Sequence, residues 1–156
     1  MDEGYDRIPI IKLWHFLLVP LQGEMTDGLS RNLMSEVLSR VHRHGSSGLV
    51  IDITGLWMID SHLCSVLSQL STAASLMGAR SVICGMKPEI ALTLETMGVE
   101  FGSITAALDL EGALRLLGVE RPDAAKSQDA AAEEESAQQL ARAMAAMEGD
   151  SLQEPR

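Results

Sequence analysis

The chain is predicted to fold as a small α/β sandwich: a four- to five-stranded mixed sheet with helices mainly on one face. Three observations point there. Two strand-like runs open the chain back to back, as a starting hairpin would. Short apolar runs then alternate with segments of helical period, the pattern of βαβ units. Two of those runs, Leu49 to Ile53 and Ser81 to Cys84, are nearly continuous in apolar residues, as strands covered on both faces require. Crossovers are right-handed in almost all such units, so strands added in one direction carry their helices on one face.

Each element follows from its own residues. Ile8 to Leu13 and Phe16 to Leu21 form the hairpin around Trp14-His15, although neither turn residue favours the positive φ of common two-residue turns. Leu29, Leu33, Val37, Leu38 and Val41 keep helical spacing, opened by Thr26 or Asp27 as cap and closed by Gly45. After the strand Leu49 to Ile53, the residues Leu63, Val66, Leu67, Leu70, Ala73, Ala74 and Met77 give the cleanest amphipathic helix, stopped at Gly78. Ser81 to Cys84 is the next buried strand. Pro88 opens a helix at the position where its missing N–H costs nothing, with Ile90, Leu94 and Met97 inward and Gly98 as terminator. A weak strand near Phe101 to Ile104 precedes a last helix capped by Asp109, with Leu110, Ala113, Leu114 and Leu117 inward. The order is ββαβαβα(β)α.

Past Gly118 the composition changes. Val119 to Arg156 is rich in Ala, Glu, Gln and Asp, has no aromatic residue, and sets nine acidic against four basic side chains. Residues 1–118 are therefore expected to form the domain, and 119–156 an acidic Ala/Glu-rich tail, disordered or weakly helical. Within it, Leu140, Met144 and Met147 make a helical stripe too thin to bury much area.

Charge and composition exclude several function classes. The formal charge of −10 argues against nucleic-acid binding, which needs a basic footprint. Arg40, His42, Arg43 and His44 end a helix, where cations offset its dipole. The apolar stretch Ile8 to Leu21 is interrupted by Pro9, Lys12, His15 and Pro20 and falls short of the ~18 apolar residues a membrane span needs. Cys64 and Cys84 lie in apolar surroundings without CxxC spacing, which suits buried free thiols in a reducing compartment and a cytoplasmic location. The four histidines have no metal-ligand spacing. No metal and no cofactor are expected.

The segment most informative about function runs from Ile51 to Leu63. It is a buried strand, a short loop, and a helix whose first turn displays Asp60 and Ser61. A phosphate on that hydroxyl would meet free backbone N–H groups and the positive end of the helix dipole. Asp60 and Ser61 could equally be a plain capping pair, since both residue types favour helix starts for backbone reasons. His62 beside Ser61 suggests a serine–histidine pair, but neighbouring helical residues project about 100° apart and no orienting acid is evident. The turn Gly85-Met86-Lys87-Pro88 ends a strand and opens a helix, where anions often bind. One Gly and one Lys do not make a phosphate-binding loop, so a structural turn is favoured over nucleotide binding.

Ile8-Pro9-Ile10-Ile11-Lys12-Leu13, Leu49 to Asp52, Met58-Ile59-Asp60-Ser61, Leu76-Met77-Gly78-Ala79, Gly85-Met86-Lys87-Pro88 and Ala107-Leu108-Asp109-Leu110-Glu111 occur in one collinear order. Each is weak alone. Together, over roughly residues 8 to 117, they resemble the STAS domain of anti-sigma-factor antagonists, and more narrowly the small single-domain members found in stressosomes. Gly23-Glu24-Met25-Thr26-Asp27 departs from the Gly-Glu-Leu-Asp of many antagonists, which weakens a match to those that act on a single soluble kinase.

The resemblance implies a STAS-like fold and a non-enzymatic, phosphorylation-switched binding protein. Ser61 stands where the family carries its phosphorylated serine, with Asp60 as cap and recognition element and His62 beside it on the partner-binding surface. Thr93 is nearest to a second phosphorylated threonine of longer paralogues; packing or solvent exposure is its plainer role. The implied partners are a longer STAS-domain paralogue, a serine/threonine switch kinase that is held and then released, and a phosphatase, within a large homo- or hetero-oligomeric complex. Two alternatives stay open: a free antagonist binding an anti-sigma kinase directly, and a small nucleotide-binding α/β domain using the Gly85 turn.

Overall fold

The computed structural model describes residues 7–102, 104–119 and 122–148. It divides between Val119 and Glu120 into two units. The first holds β1 (Ile11–Leu13), β2 (Phe16–Gly23), α1 (Asp27–His44), β3 (Gly48–Leu56), α2 (Ser61–Leu76), β4 (Arg80–Cys84), α3 (Pro88–Thr96), β5 (Thr105–Ala107) and α4 (Leu110–Leu116). The second holds α5 (Pro122–Glu148), on which Leu140, Met144 and Met147 are exposed.

The strands lie in the order β1-β2-β3-β4-β5. β1 pairs antiparallel with β2, and every later pair is parallel. The hairpin closes on Leu13 and Phe16, and Trp14 takes a φ of 50°, the left-handed value that a bulky residue adopts only when its neighbours enforce it. β3 is longer than its apolar run because its ladder with β2 resumes past an irregularity between Pro20 and Gln22 and ends at Leu56.

Period-two alternation sorts the sheet into two apolar faces. Leu17, Val19, Leu49, Ile51, Ile53 and Ile83 meet the inward faces of α1, α2 and α3, through Leu33, Val37, Leu63, Leu67, Leu70, Ile90 and Leu94 among others. The other face is smaller: Phe16, Val50, Val82 and Cys84 pack with Ala113 of α4 and with Leu117, the residue that caps its end. α4 departs from the other helices because it follows the last strand. With no further strand to reach, it need not cross over on their side. Residues such as Leu67 and Ile51, wholly buried, each contribute about 1.5–3 kcal/mol by leaving water.

One element lies elsewhere than its sequence suggests. The strand expected near Phe101 to Ile104 is instead Thr105–Ala107, in register with Val82, Ile83 and Cys84. Phe101 and Ile104 are partly buried against the larger core from outside the ladder. Their apolar character reflects packing of a connecting segment, while the real edge strand has small side chains.

Candidate functional site

Because β2 to β5 are parallel, their C-terminal ends share one edge of the sheet, and the helices that follow begin there. β3 ends at Leu56, and the Trp57 N–H gives the last ladder bond to the Gly23 carbonyl at 3.2 Å. The chain then crosses to α2 in a short turn. Ile59 is buried and pins the turn to the core, whereas Trp57 (79% exposed) and Met58 (60%) project into solvent. Ile59 and Cys64 occupy the two positions of a hydrophobic staple, one before the cap and one in the first turn, and both belong to the same core cluster.

Asp60 is the N-cap, with extended backbone at φ −116° and ψ 171°. Its Oδ1 accepts the Leu63 N–H at 2.7 Å, and its carbonyl accepts the Cys64 N–H at 3.0 Å. Ser61 is therefore the first residue of a sixteen-residue helix, and it is exposed. The backbone N–H groups of Ser61 and His62 are two of the donors that any helix start leaves without an intrahelical partner. From Ser61 an open groove runs along α2, past Cys64, Ser65, Ser68 and Gln69, opposite Val99 and Glu100. His62 Nε2 lies 3.6 Å from Asp27 Oδ1, so its ring is drawn toward the start of α1. Both partners are well exposed, and such a pair adds little stability.

The neighbouring β4–α3 turn has a different character. Gly85 has φ +76°, and a Cβ there would collide with the Thr54 side chain and stand 2.9 Å from Asp52 Oδ1. That carboxylate oxygen already accepts the Thr54 N–H at 2.9 Å and the Thr54 hydroxyl at 2.6 Å. The Gly85 N–H goes to the Leu108 carbonyl at 3.2 Å, and the Lys87 ammonium donates to the Leu56 carbonyl at 3.3 Å. The glycine is needed for close packing, and the lysine is engaged with the end of β3.

Thr93 is exposed in the middle of α3, its hydroxyl donating to the Glu89 carbonyl one turn back at 2.8 Å. Ser61 and Thr93 thus lie on successive helices, one at a helix start and the other within. Both cysteines are free and buried. Burial, reinforced by the carboxylates of Asp52 and Asp109, pushes the Cys84 thiol up to about 11. Burial and Asp60 push Cys64 up as well. Both thiols are protonated at neutral pH and poor nucleophiles. Among the described residues, no group of three or more His, Cys, Asp and Glu is placed to hold a metal ion, and no helix is long and apolar enough to cross a membrane.

Two features of the site escaped the sequence. The exposure of Trp57 and Met58 gives no periodic signal, because both lie in a turn. The Lys87–Leu56 bond joins residues of two different crossovers and needs the sheet order to be known.

Residues 6–113 match the STAS domain family. RsbT co-antagonist protein RsbRA of Bacillus subtilis (strain 168) is 31% identical over 97 residues, covering 62% of this chain and 35% of that protein. The chain thus spans about a third of the length of that relative. A variant of RsbS from Moorella thermoacetica superposes with a TM-score of 0.63 at 33% identity, covering 71% of this chain and 94% of the other. A chain of the stressosome, a signal integration and transduction hub, superposes with a TM-score of 0.59 at 32% identity, covering 70% of this chain and 95% of the other. The chain belongs to the STAS-domain family, and within it resembles RsbS along nearly the whole of that protein's length.

Proposed function

We propose that this protein is a phosphorylation-switched scaffold and antagonist in a stressosome-type complex. It stands beside longer, RsbR-like STAS paralogues, holds an RsbT-like serine/threonine switch kinase, and releases it when Ser61 is phosphorylated. The likeness to RsbS and to RsbT co-antagonists supports the setting. The observation that carries the switch is the exposed hydroxyl of Ser61 at the first position of α2, beside exposed Trp57 and Met58.

In this mechanism the kinase docks over the β3–α2 turn, with Trp57 and Met58 as apolar anchors and Asp60 and His62 on the same surface. The Ser61 hydroxyl oxygen attacks the γ-phosphorus of kinase-bound ATP and gives up its proton to a base of the kinase; the bond to the β-phosphate oxygen breaks and ADP leaves. Asp60 keeps the helix start fixed, so the hydroxyl is presented in one place. The product carries about −1.5 to −2 charges beside the Asp60 carboxylate. An interface shaped for a neutral hydroxyl then holds unpaired like charge, which costs several kcal/mol. The kinase departs, and an RsbX-like phosphatase hydrolyses the ester. Thr93 is a second modification site in the same scheme, of lesser effect because its hydroxyl is spent on the α3 backbone.

Co-purification from the native host tests this reading, with mass spectrometry of bound proteins and of Ser61. A bound kinase and a longer STAS protein with unmodified Ser61, and loss of the kinase from the phosphorylated form, are expected. Equal kinase retention by both forms would refute the switch.

A further inference from the structure

β4 has a strand along its whole length on one side only. Its ladder with β3 starts at Arg80, whose N–H donates to the Ser47 carbonyl at 3.0 Å. β5 is three residues long and joins the other side at Val82, so among the described residues no strand lies beside Arg80 and Ser81 there. The ends of two helices flank this gap. α2 borders it on one face of the sheet with Ser75, and α4 on the other with Leu116 and the Leu117 that follows. Between them is a partly open cavity of about 150 Å³.

The lining sets one cation and three hydroxyls against an apolar wall. Val82, Leu116 and Leu117 form the wall; Ser75, Ser81 and Thr105 supply the hydroxyls, and Arg80 the charge. The guanidinium donates to the Leu116 carbonyl at 2.9 Å, which occupies one of its N–H groups and none of its charge. Among the described residues no carboxylate pairs with Arg80, whereas Arg115 is held by Glu111 at 2.8 Å. Ser81 is 4% exposed, and its hydroxyl has no hydrogen-bond partner among those residues. Alanine would fill the position without leaving a buried polar atom unmatched, so packing alone does not explain the serine. A concave apolar surface with a few polar groups and one charge is the make-up of a small-ligand site.

We propose that this gap binds a small organic carboxylate. The carboxylate pairs with Arg80 and takes hydrogen bonds from the hydroxyls, and an apolar body lies against Val82, Leu116 and Leu117. A cavity of this volume accepts a benzene-sized body, so the ligand carries about four to six carbons beyond its carboxylate. An inorganic anion would leave the apolar wall uncovered, and a neutral analogue would leave the Arg80 charge unmatched. The site lies where the strands start, and Ser61 follows the end of β3 at the opposite edge of the sheet. The inference therefore stands apart from the phosphorylation switch and does not require it.

Amide NMR of the full-length, isotope-labelled protein tests it, in titrations with acetate, butyrate, hexanoate and benzoate at constant pH and ionic strength. The amides of Ser81, Val82, Thr105, Leu116 and Leu117 should shift together and saturate, while those of Ser61 and His62 stay in place. Affinity should rise about fourfold for each methylene added between acetate and butyrate. Hexanamide, the same body without the charge, should bind at least about tenfold more weakly than hexanoate, since it loses a hydrogen bond to a charged group. Arg80→Gln keeps a donor for the Leu116 carbonyl; it should weaken hexanoate by a similar factor and leave hexanamide unchanged. Loosening of α4 alone would weaken both ligands alike, so the pair separates recognition from structure. If circular dichroism shows Arg80→Gln to be misfolded, the acid–amide comparison on the parent protein decides. No saturable shift with any of the acids, hexanamide binding as tightly as hexanoate, or equal losses for both ligands in a folded Arg80→Gln would each overturn the proposal.

Discussion

Two strand-to-helix turns lie side by side at the same edge of the sheet, and they are built for different ends. The β4–α3 turn is packed: Gly85 lies against Asp52 and Thr54, Lys87 binds the Leu56 carbonyl, and Pro88 starts the helix without any side-chain cap. The β3–α2 turn is open: Asp60 caps the helix, and Trp57, Met58 and Ser61 face solvent. A glycine–lysine turn before a helix is a place where anions often bind, yet here the glycine packs against Thr54 and Asp52 and the lysine donates to the Leu56 carbonyl, as the structural reading of the turn expects. The plain Asp-Ser pair keeps a hydroxyl in reach of a partner. What separates a displayed turn from a packed one is which groups the fold has left over.

The hardest test of this contrast is Gly85→Ala. A left-handed φ costs a residue with a Cβ about 1–2 kcal/mol, and crowding a filled site adds about 1–3. Denaturant unfolding should therefore show a loss of about 3 kcal/mol. A loss below 1 would mean that the turn relaxes and is not a packing element. Next in size, and at the open turn, stoichiometric phosphorylation of Ser61 should weaken binding of the switch kinase about a hundredfold, or ~2.7 kcal/mol. Ser61→Asp should give a smaller loss, since one carboxylate imitates a phosphate poorly. Ser61→Ala should hold the kinase at full strength and leave stability within about 0.5 kcal/mol. Calorimetric titration compares the four proteins.

Most of the fold was legible because its signals are local. Thr26, Asp60 and Asp109 accept the N–H three residues on, Gly45 and Gly78 end their helices, and Pro88 starts one. The buried runs of β3 and β4 gave central strands directly. The displaced edge strand was hidden because Thr105-Ala106-Ala107 has no apolar alternation, while Phe101 and Ile104 nearby are apolar for another reason. α4 was legible as a helix, but its side of the sheet was not, since a helix after the last strand has no crossover to fix it. At the site, residue types identified the cap and hydroxyl; the exposed pair Trp57 and Met58 and the Lys87 tether depend on three-dimensional neighbours.

A smaller effect separates capping from recognition at the open turn. Asp60→Ala removes the acceptor for the Leu63 N–H and should cost about 1 kcal/mol. Asp60→Asn, which can still cap, should recover most of that stability. If the kinase reads the charge as well, both substitutions slow Ser61 phosphorylation while one of them restores the melting temperature. Parallel recovery of rate and stability in Asp60→Asn would mean that Asp60 acts through the helix start alone.

The smallest expected change probes whether the two turns are independent. Lys87 donates to the carbonyl of Leu56, the residue at which β3 gives way to the displayed turn. The lysine is exposed, and water can replace it on that carbonyl, so Lys87→Met should cost no more than about 0.5–1 kcal/mol, the usual net worth of one hydrogen bond. The position of the Ser61 hydroxyl is fixed closer by, through the Asp60 cap and the buried Ile59, neither of which touches the lysine in the hydrogen-bond pattern. Ser61 phosphorylation should then proceed at the parental rate in Lys87→Met, measured by mass spectrometry over a time course. A rate that falls well beyond the stability loss would show that the packed turn steadies the displayed one. The two would then be one site, with the β4–α3 turn as its floor and the β3–α2 turn as its surface.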